Sequence, residues 1–335
     1  MRFGPVPVAE AVGHVLAHSV QLPAGRLRKG MILSKGDVAA LAASGFDQIT
    51  VARLDPGDIG ENDAAEALAR ALVPDPKTAG LHLSAPFTGR VNLLADGPGL
   101  ARIDAAAIDR VNHVHPMITV STVPRWQRMD RDGMVATVKI ISYAVPGTAL
   151  ERACELAPGA LTLQRPMLSR AEFIETRISG RAEGPTSDKG YRMMQGRLDR
   201  LGVDLSDPVA VAHRIAPLVQ AIAACDAELI LILTGSATSD PTDVAPEAVR
   251  RAGGEIIHFG MPVDPGNLLF LGRIGAQMVI GLPGSARSPA VSGVDWVLER
   301  VICGLQVSPQ DIMDMGVGGL LKEIPTRPQP RGSRN

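Results

Sequence analysis

Residues 234–243 read Thr-Gly-Ser-Ala-Thr-Ser-Asp-Pro-Thr-Asp and follow the aliphatic run LILIL. The hydroxyls of Thr234, Ser236 and Thr238 can donate to an oxyanion, and Gly235 lets backbone approach a ligand closely. Asp243 opens a helix-like stretch whose first amides carry partial positive charge. A plain turn in which Thr242 or Asp243 caps that helix is the competing reading. A second loop, Leu-Pro-Gly-Ser-Ala-Arg-Ser-Pro at 282–289, follows MVIG. There Gly284 and Ser285 expose amides, and Arg287 presents a planar fork suited to phosphate. Ser288 and Pro289 read as the N-cap and first residue of a helix. Neither loop fits the P-loop or the G-x-G-x-x-G pattern, which disfavours ordinary nucleotide or dinucleotide binding, and no G-x-S-x-G elbow exists. Lys189, after PTSD, is either a further phosphate clamp or a solvated lysine at a helix start.

The elements around these loops alternate. EFIETRI reads as a strand, DKGYRMMQGRLDRLG as a helix ending at Gly202, and AVAHRIAPLVQAIAAC as another helix. ELILILT, EIIHFG and QMVIGL read as strands, with DVAPEAVRRAGG as a helix between the first two. SPAVSGVDWVLERVICG reads as a final helix with Val291, Val294, Val297, Leu298 and Val301 on one face. Short aliphatic strands alternating with helices imply a parallel sheet covered on both faces, with ligands outside the carboxyl ends of its strands.

Upstream, KGDVAALAASGF reads as a helix with Val38, Leu41 and Ala42 on one face. DQITVARL reads as a strand, and GENDAAEALARALV as a helix capped at Asn62 or Asp63. GRVNLLA, MITVSTV and GMVATVKIISYAV read as strands, and LAPGALTLQRP as a break. These boundaries divide the chain into 1–78, α+β; 79–167, β-rich α+β; 168–320, α/β; and a Pro- and Arg-rich tail, 321–335, expected to be disordered.

Length and charge set further bounds. A chain of 335 residues exceeds one ordinary core. A net charge of −1 supplies no global field toward nucleic acid or an anionic membrane, so any anion must be held locally. Cys154, Cys225 and Cys303 have no metal-ligand spacing and read as buried reduced thiols of a cytoplasmic protein. His113 and His115 would share a face on a strand but have no third ligand nearby, so no metal site is expected. No apolar run of about 18 residues is present, and no membrane association is expected.

The order strand, T-G-x-x-[ST]-x-x-x-x-D loop, helix, strand, LPGSARSP, helix resembles the molybdopterin-binding domain of the MoeA/Mog family. The family's loops read G-G-x-S-x-G-x-x-D and L-P-G-N-P-x-S. Gly235, Thr238 and Asp243 fall on the first, and Pro283, Gly284 and Ser288 on the second. MPVDPGNLLFLGRIG resembles the family's M-K-P-G-K-P segment, with Pro265 and Gly266 on its Pro-Gly. GRLRKGMILSKGDVAALAASGFDQITVARL resembles the molybdotransferase segment that precedes the domain. HFGMPVDPGNLLFLGRIG and GLPGSARSP look closer still to the module found alone or fused before a MocA-like molybdenum cofactor cytidylyltransferase. The chain departs from the family at Ser236 and Asp240, where glycines stand, and at Asp264 and Asn267, where lysines stand. ETRISGRAEG replaces the acidic G-D-E-L motif.

The resemblance implies a C-terminal three-layer α/β/α domain of the MoaB/Mog type with a mostly parallel sheet, preceded by a smaller α+β region. It implies molybdopterin, or its nucleotide-activated form, as ligand. Thr234, Gly235, Ser236, Ala237, Thr238, Asp240, Pro265, Gly266, Pro283, Gly284, Ser285, Arg287, Ser288 and Lys189 would hold it. Asp243, orienting the loop or a metal-bound water, is the catalytic candidate. The resemblance leaves room for Mg2+, a homo-oligomer, and a cytidylyltransferase or molybdoenzyme as partner. Two further readings stay open: a catalytically silent carrier, and a nucleotide-derivative hydrolase of the competence-damage type, which shares the fold.

Overall fold

The computed structural model describes residues 1–178 and 186–321, apart from the side chains of 186 and 187. The SGRAEGP segment and the tail from residue 322 lie outside the described residues. Contacts divide the chain into two compact units, residues 1–97 with 101–164, and residues 98–100 with the chain from 165 onward.

The first unit has two cores. In the first, strand Gln48–Arg53 lies between Arg2–Pro7 and Val15–Leu16, antiparallel to both. Helix Lys35–Ala43 closes this core and starts with a capping box between Ser34 and Asp37. Val38 and Leu41 are buried, but Ala42 is exposed, because the core face centres on Leu41 and turns Ala42 outward.

The second core lies between helices Glu61–Leu72, Ala105–Asn112 and Gly147–Leu156 and an antiparallel sheet ordered Ile118–Thr122, Met134–Ile140, Arg90–Ala95, Leu81–Leu83. Helix Glu61–Leu72 is capped neither by Asn62 nor by Asp63. Its N-cap is Gly60, and the Asn62 side chain accepts from Gly89 N at 2.8 Å. The LAPGALTLQRP break contains a strand, Leu161–Gln164. His113 ends helix Ala105–Asn112 rather than lying on a strand, and His115 Nδ1 accepts from Met117 N. Among the described residues no cluster of His, Cys, Asp and Glu could hold a metal.

The second unit, numbered from its own first strand, runs β1 (Arg170–Arg177), α1 (Thr186–Asp199), β2 (Asp204–Leu205), β3 (Val209–Ala212), α2 (Ile215–Ala224), β4 (Leu229–Leu233), α3 (Val244–Arg251), β5 (Glu255–Phe259), β6 (Phe270–Ile274), β7 (Gln277–Leu282), α4 (Gly293–Ile302) and α5 (Pro309–Met313). One sheet is ordered β2-β1-β4-β7-β6-β5, with β3 also paired to β1. The pairings from β2 to β7 are parallel, and those of β6 are antiparallel. This is the mostly parallel, three-layer arrangement expected from the sequence.

Strand β4 shows why the sequence folds this way. All five residues of LILIL are buried. Leu229, Leu231 and Leu233 join the core shared with α1 and α4, while Ile230 and Ile232 join the core shared with α2 and α3. A strand covered on both faces needs a continuous apolar run rather than alternation.

Three expectations are corrected here. VAVA is an edge strand parallel to β1, not the start of a helix, and only Ile215–Ala224 is helical. FLGRI, to which sequence reading gave no element, is a strand. The last helix begins at Gly293, not at Ser288. Ser292 and Asp295 form its capping box, Ser288 Oγ accepts from Ala290 N, and Val291 is 58% exposed. A Ser-x-x-Asp box satisfies two donors reciprocally and outcompetes the Ser-Pro start.

Among the described residues no helix is long and apolar enough to cross a membrane. None of the three cysteines forms a disulfide. Burial pushes the Cys225 and Cys303 thiols up to about 12, and raises that of Cys154.

Candidate functional site

Strands β4 and β7 are parallel neighbours with Leu233 opposite Leu282, so the loops that follow them leave the same edge of the sheet side by side. Strand β1 ends there too, with Glu175 opposite Leu233. The loop carrying Pro265 and Gly266 lies between β5 and β6. Phe270 stands opposite both Phe259 and Gly281, which brings this loop to the same edge.

The first loop is tied to itself. Thr234 Oγ1 donates to the Ser236 carbonyl at 2.6 Å and lies 3.2 Å from Thr238 Oγ1. Both threonines are buried, whereas Ser236, Ala237 and Asp240 are exposed. Gly235 N donates to Thr176 Oγ1 at 3.0 Å, and that hydroxyl shares a 2.8 Å hydrogen bond with His213 Nδ1. A Cβ on Gly235 would lie 2.7 Å from the Thr176 carbonyl, so backbone packing requires glycine here. Asp240 is fully exposed. The Thr242 hydroxyl and amide donate to its carboxylate and hold it below its usual range. Asp243 is the N-cap of α3. Its oxygens accept from Val244 N at 2.7 Å and from Ser239 N at 3.2 Å. The carboxylate therefore sits on the amide that an incoming anion would otherwise use.

The second loop reaches the first through Arg287. Its Nη2 donates to the Thr234 carbonyl at 3.3 Å. Burial pulls the guanidinium below its usual range, and the charge of Glu175 opposes that pull. Glu175 is itself only 6% exposed, with Arg177 Nε 3.8 Å away. Gly190, on the second turn of α1, brings this helix against the pair: a Cβ there would meet Leu233 Cδ2 at 2.5 Å and Arg287 Cγ at 3.6 Å. Neighbouring Lys189 is exposed. The Ser285 hydroxyl is buried and, among the described residues, has no hydrogen-bond partner. Space above Gly284 is open, with Arg287 Nη1 at 4.0 Å the nearest atom to a built Cβ. Pro283 leads into this turn and is buried.

Pro265 and Gly266 dock elsewhere on the edge. Gly293 N donates to the Pro265 carbonyl at 2.9 Å, and a Cβ on Gly266 would lie 2.8 Å from Gly293 N. They abut the start of α4 and buttress the far end of the second loop. Ser288 is turned into the protein through its carbonyl.

Sequence reading missed the residue that holds this carbonyl. Arg197, in the last turn of α1, is 12% exposed and lies under the second loop. Its Nε donates to Asp295 at 2.7 Å, Nη1 to the Ala286 carbonyl at 3.1 Å, and Nη2 to the carbonyls of Ser288 and Ala290 at 2.9 and 3.2 Å. One planar fork thus fixes the chain from Ala286 to Ala290 and the helix that follows. Thr176, His213 and Glu175 were also missed. The signal available for two of them was the polar pair Glu175-Thr176 directly after the apolar Phe173-Ile174 in the strand.

Residues 173–301 match the family model described as "Probable molybdopterin binding domain". Residues 5–53 match a domain of unknown function, DUF8806. No curated protein matches the chain. Among solved structures the chain is similar to a molybdopterin biosynthesis MoeA protein from Pyrococcus horikosii. That similarity is 13% identity over 90% of this chain and 75% of that one, with a TM-score of 0.31. A molybdenum cofactor biosynthesis protein from Pyrococcus furiosus is similar at 12% identity over 91% of this chain and 64% of that one, with a TM-score of 0.25.

Proposed function

We propose that the carboxyl edge of the C-terminal sheet holds molybdopterin, or its nucleotide-activated form, and that the protein serves the biosynthesis or maturation of the molybdenum cofactor. The observation that carries this reading is the buried, unpartnered Ser285 hydroxyl on the same turn as the half-buried Arg287. A buried hydroxyl without a partner costs free energy that an incoming acceptor removes. A phosphate supplies that acceptor, and its charge offsets the desolvation of the guanidinium. The open space above Gly284 leaves backbone accessible there, and the match over residues 173–301 supports the pterin as the remainder of the ligand. Lys189, exposed at the start of α1, adds a second cation for the phosphate.

One observation favours a carrier over a catalyst. Asp243, the catalytic candidate, has both carboxylate oxygens engaged as a helix cap and loop clasp. In the carrier reading the bound pterin is handed to a cytidylyltransferase or a molybdoenzyme. Incubation with adenylyl-molybdopterin, Mg2+ and molybdate separates the readings. The carrier reading expects stoichiometric retention of the unchanged compound, and turnover would return Asp243 to a catalytic role. Observing neither retention nor turnover would overturn the function proposed here.

A further inference from the structure

The first unit holds a cleft of about 570 Å³ lined by Lys29, Arg90, Lys139, Glu61, Phe87 and Tyr143, among others. Three cations face one carboxylate there, in a chain whose net charge is −1, so the positive charge is local. Two of these cations are arranged against their own repulsion. Arg90 stands directly opposite Lys139 on adjacent antiparallel strands, a like-charge pair that destabilises a sheet when nothing lies between.

The surrounding structure holds them in place. Lys139 Nζ donates to the Thr88 carbonyl and lies 3.8 Å from Glu61 Oε2, with the two side chains 28% and 18% exposed. Arg90 Nη1 donates to Thr137 Oγ1 at 3.1 Å. Thr88 and Gly89, at φ of 48° and 68°, form a tight reversal, and Phe87 and Arg90 exchange backbone hydrogen bonds across it. Asn62 pins this reversal to helix Glu61–Leu72 by accepting from Gly89 N at 2.8 Å. A Cβ on Gly89 would lie 2.7 Å from Glu61 Oε2, so the carboxylate is lodged against the turn. Burial pushes the Glu61 carboxyl up, against the pull of Lys139 and Lys29. Beside the charges lie two rings: Phe87 is 75% exposed, and Tyr143 is fixed by stacking on Phe3 and by donating to the Ala17 carbonyl at 2.6 Å.

We propose that this cleft binds a small phosphorylated molecule bearing a flat ring. Its phosphate lies between Lys139, Arg90 and Lys29, and its ring lies against Phe87. An anion there turns the Arg90–Lys139 repulsion into a shared attraction, and the exposed ring gains a partner. All of its lining residues belong to the first unit.

The test is calorimetric titration of the full chain carrying Arg287→Ala with phenyl phosphate as probe, so that binding at the C-terminal edge is weakened. Saturable one-to-one binding is expected, weakened about tenfold or more by Lys139→Met or by Arg90→Gln. Glu61→Gln, which removes the one carboxylate, is expected to tighten it. Phe87→Ala is expected to weaken phenyl phosphate while leaving inorganic phosphate unchanged. No saturable binding, or the same affinity in the Lys139 and Arg90 variants, overturns the proposal. Arg90 and Phe87 are exposed, so their variants read the site even if Lys139→Met fails to fold.

Discussion

Replacing Arg197 with methionine is expected to destabilise the C-terminal unit by about 3–5 kcal/mol, the cost of leaving one member of a buried ion pair alone. Methionine keeps much of the apolar stem, so the loss isolates the guanidinium. That group answers Asp295 at 2.7 Å, in a pair whose side chains are 12% and 13% exposed. Without it Asp295 is left facing an apolar side chain, and the carbonyls of Ala286, Ser288 and Ala290 lose their common donor. Unfilled carbonyls inside the protein carry a desolvation penalty, so the loop must open to water or distort. Either outcome displaces Ser285 and Arg287, and ligand retention should fall with stability. Lysine, a point charge without the fork, should recover less than half of the loss. Urea unfolding followed by Trp296 fluorescence in a Trp126→Phe background measures this. A cost under about 1 kcal/mol, typical of an exposed pair, would contradict it.

The second large effect lies where β6 crosses β7. Phe270 is fully buried and stands directly opposite Gly281, and a Cβ on that glycine would lie 1.9 Å from Phe270 Cε1. The ring occupies the space a side chain would take. Phe270→Ala should cost about 3–5 kcal/mol through the cavity it leaves. Gly281→Ala should cost about 1–3 kcal/mol or somewhat more by overpacking. In the Phe270→Ala background the added methyl falls into vacated space, so the double variant should be less damaged than the sum of the two. The same unfolding measurement gives the cycle, and strict additivity would show that the ring and the glycine do not share that volume.

These two contacts also mark where sequence reading stops. The edge itself was legible: LILIL among alternating helices reads as a strand covered on both faces, and loops after parallel strands of one sheet leave the same rim. FLGRI was not legible as a strand. Its glycine looks like a breaker, and its pairing with Gly281 is a contact between segments whose complementarity no periodicity records. AVA before HRI was read as helix because alanine and valine suit either state, and an edge strand has only one buried neighbour to disclose it. Ser288-Pro289 carried a stronger local start signal than Ser292, yet the capping box with Asp295 and the grip of Arg197 decided the boundary. Arg197 itself looked like any solvated helix arginine. Its role is defined by carbonyls 89 to 93 residues away. Asp243 illustrates the reverse case. Both of its readings, ligand-facing acid and helix cap, were visible in sequence, and the geometry shows the cap.

The most direct measurement of the central claim is a calorimetric titration of the full chain with molybdopterin, set against Arg287→Met and Ser285→Ala. The account predicts micromolar or tighter binding by the unaltered chain, and a loss of about tenfold or more in each variant, the usual consequence of removing a hydrogen bond to a charged group. Equal affinity in all three proteins would mean that the pterin, if bound at all, rests somewhere other than the rim between Thr234 and Arg287.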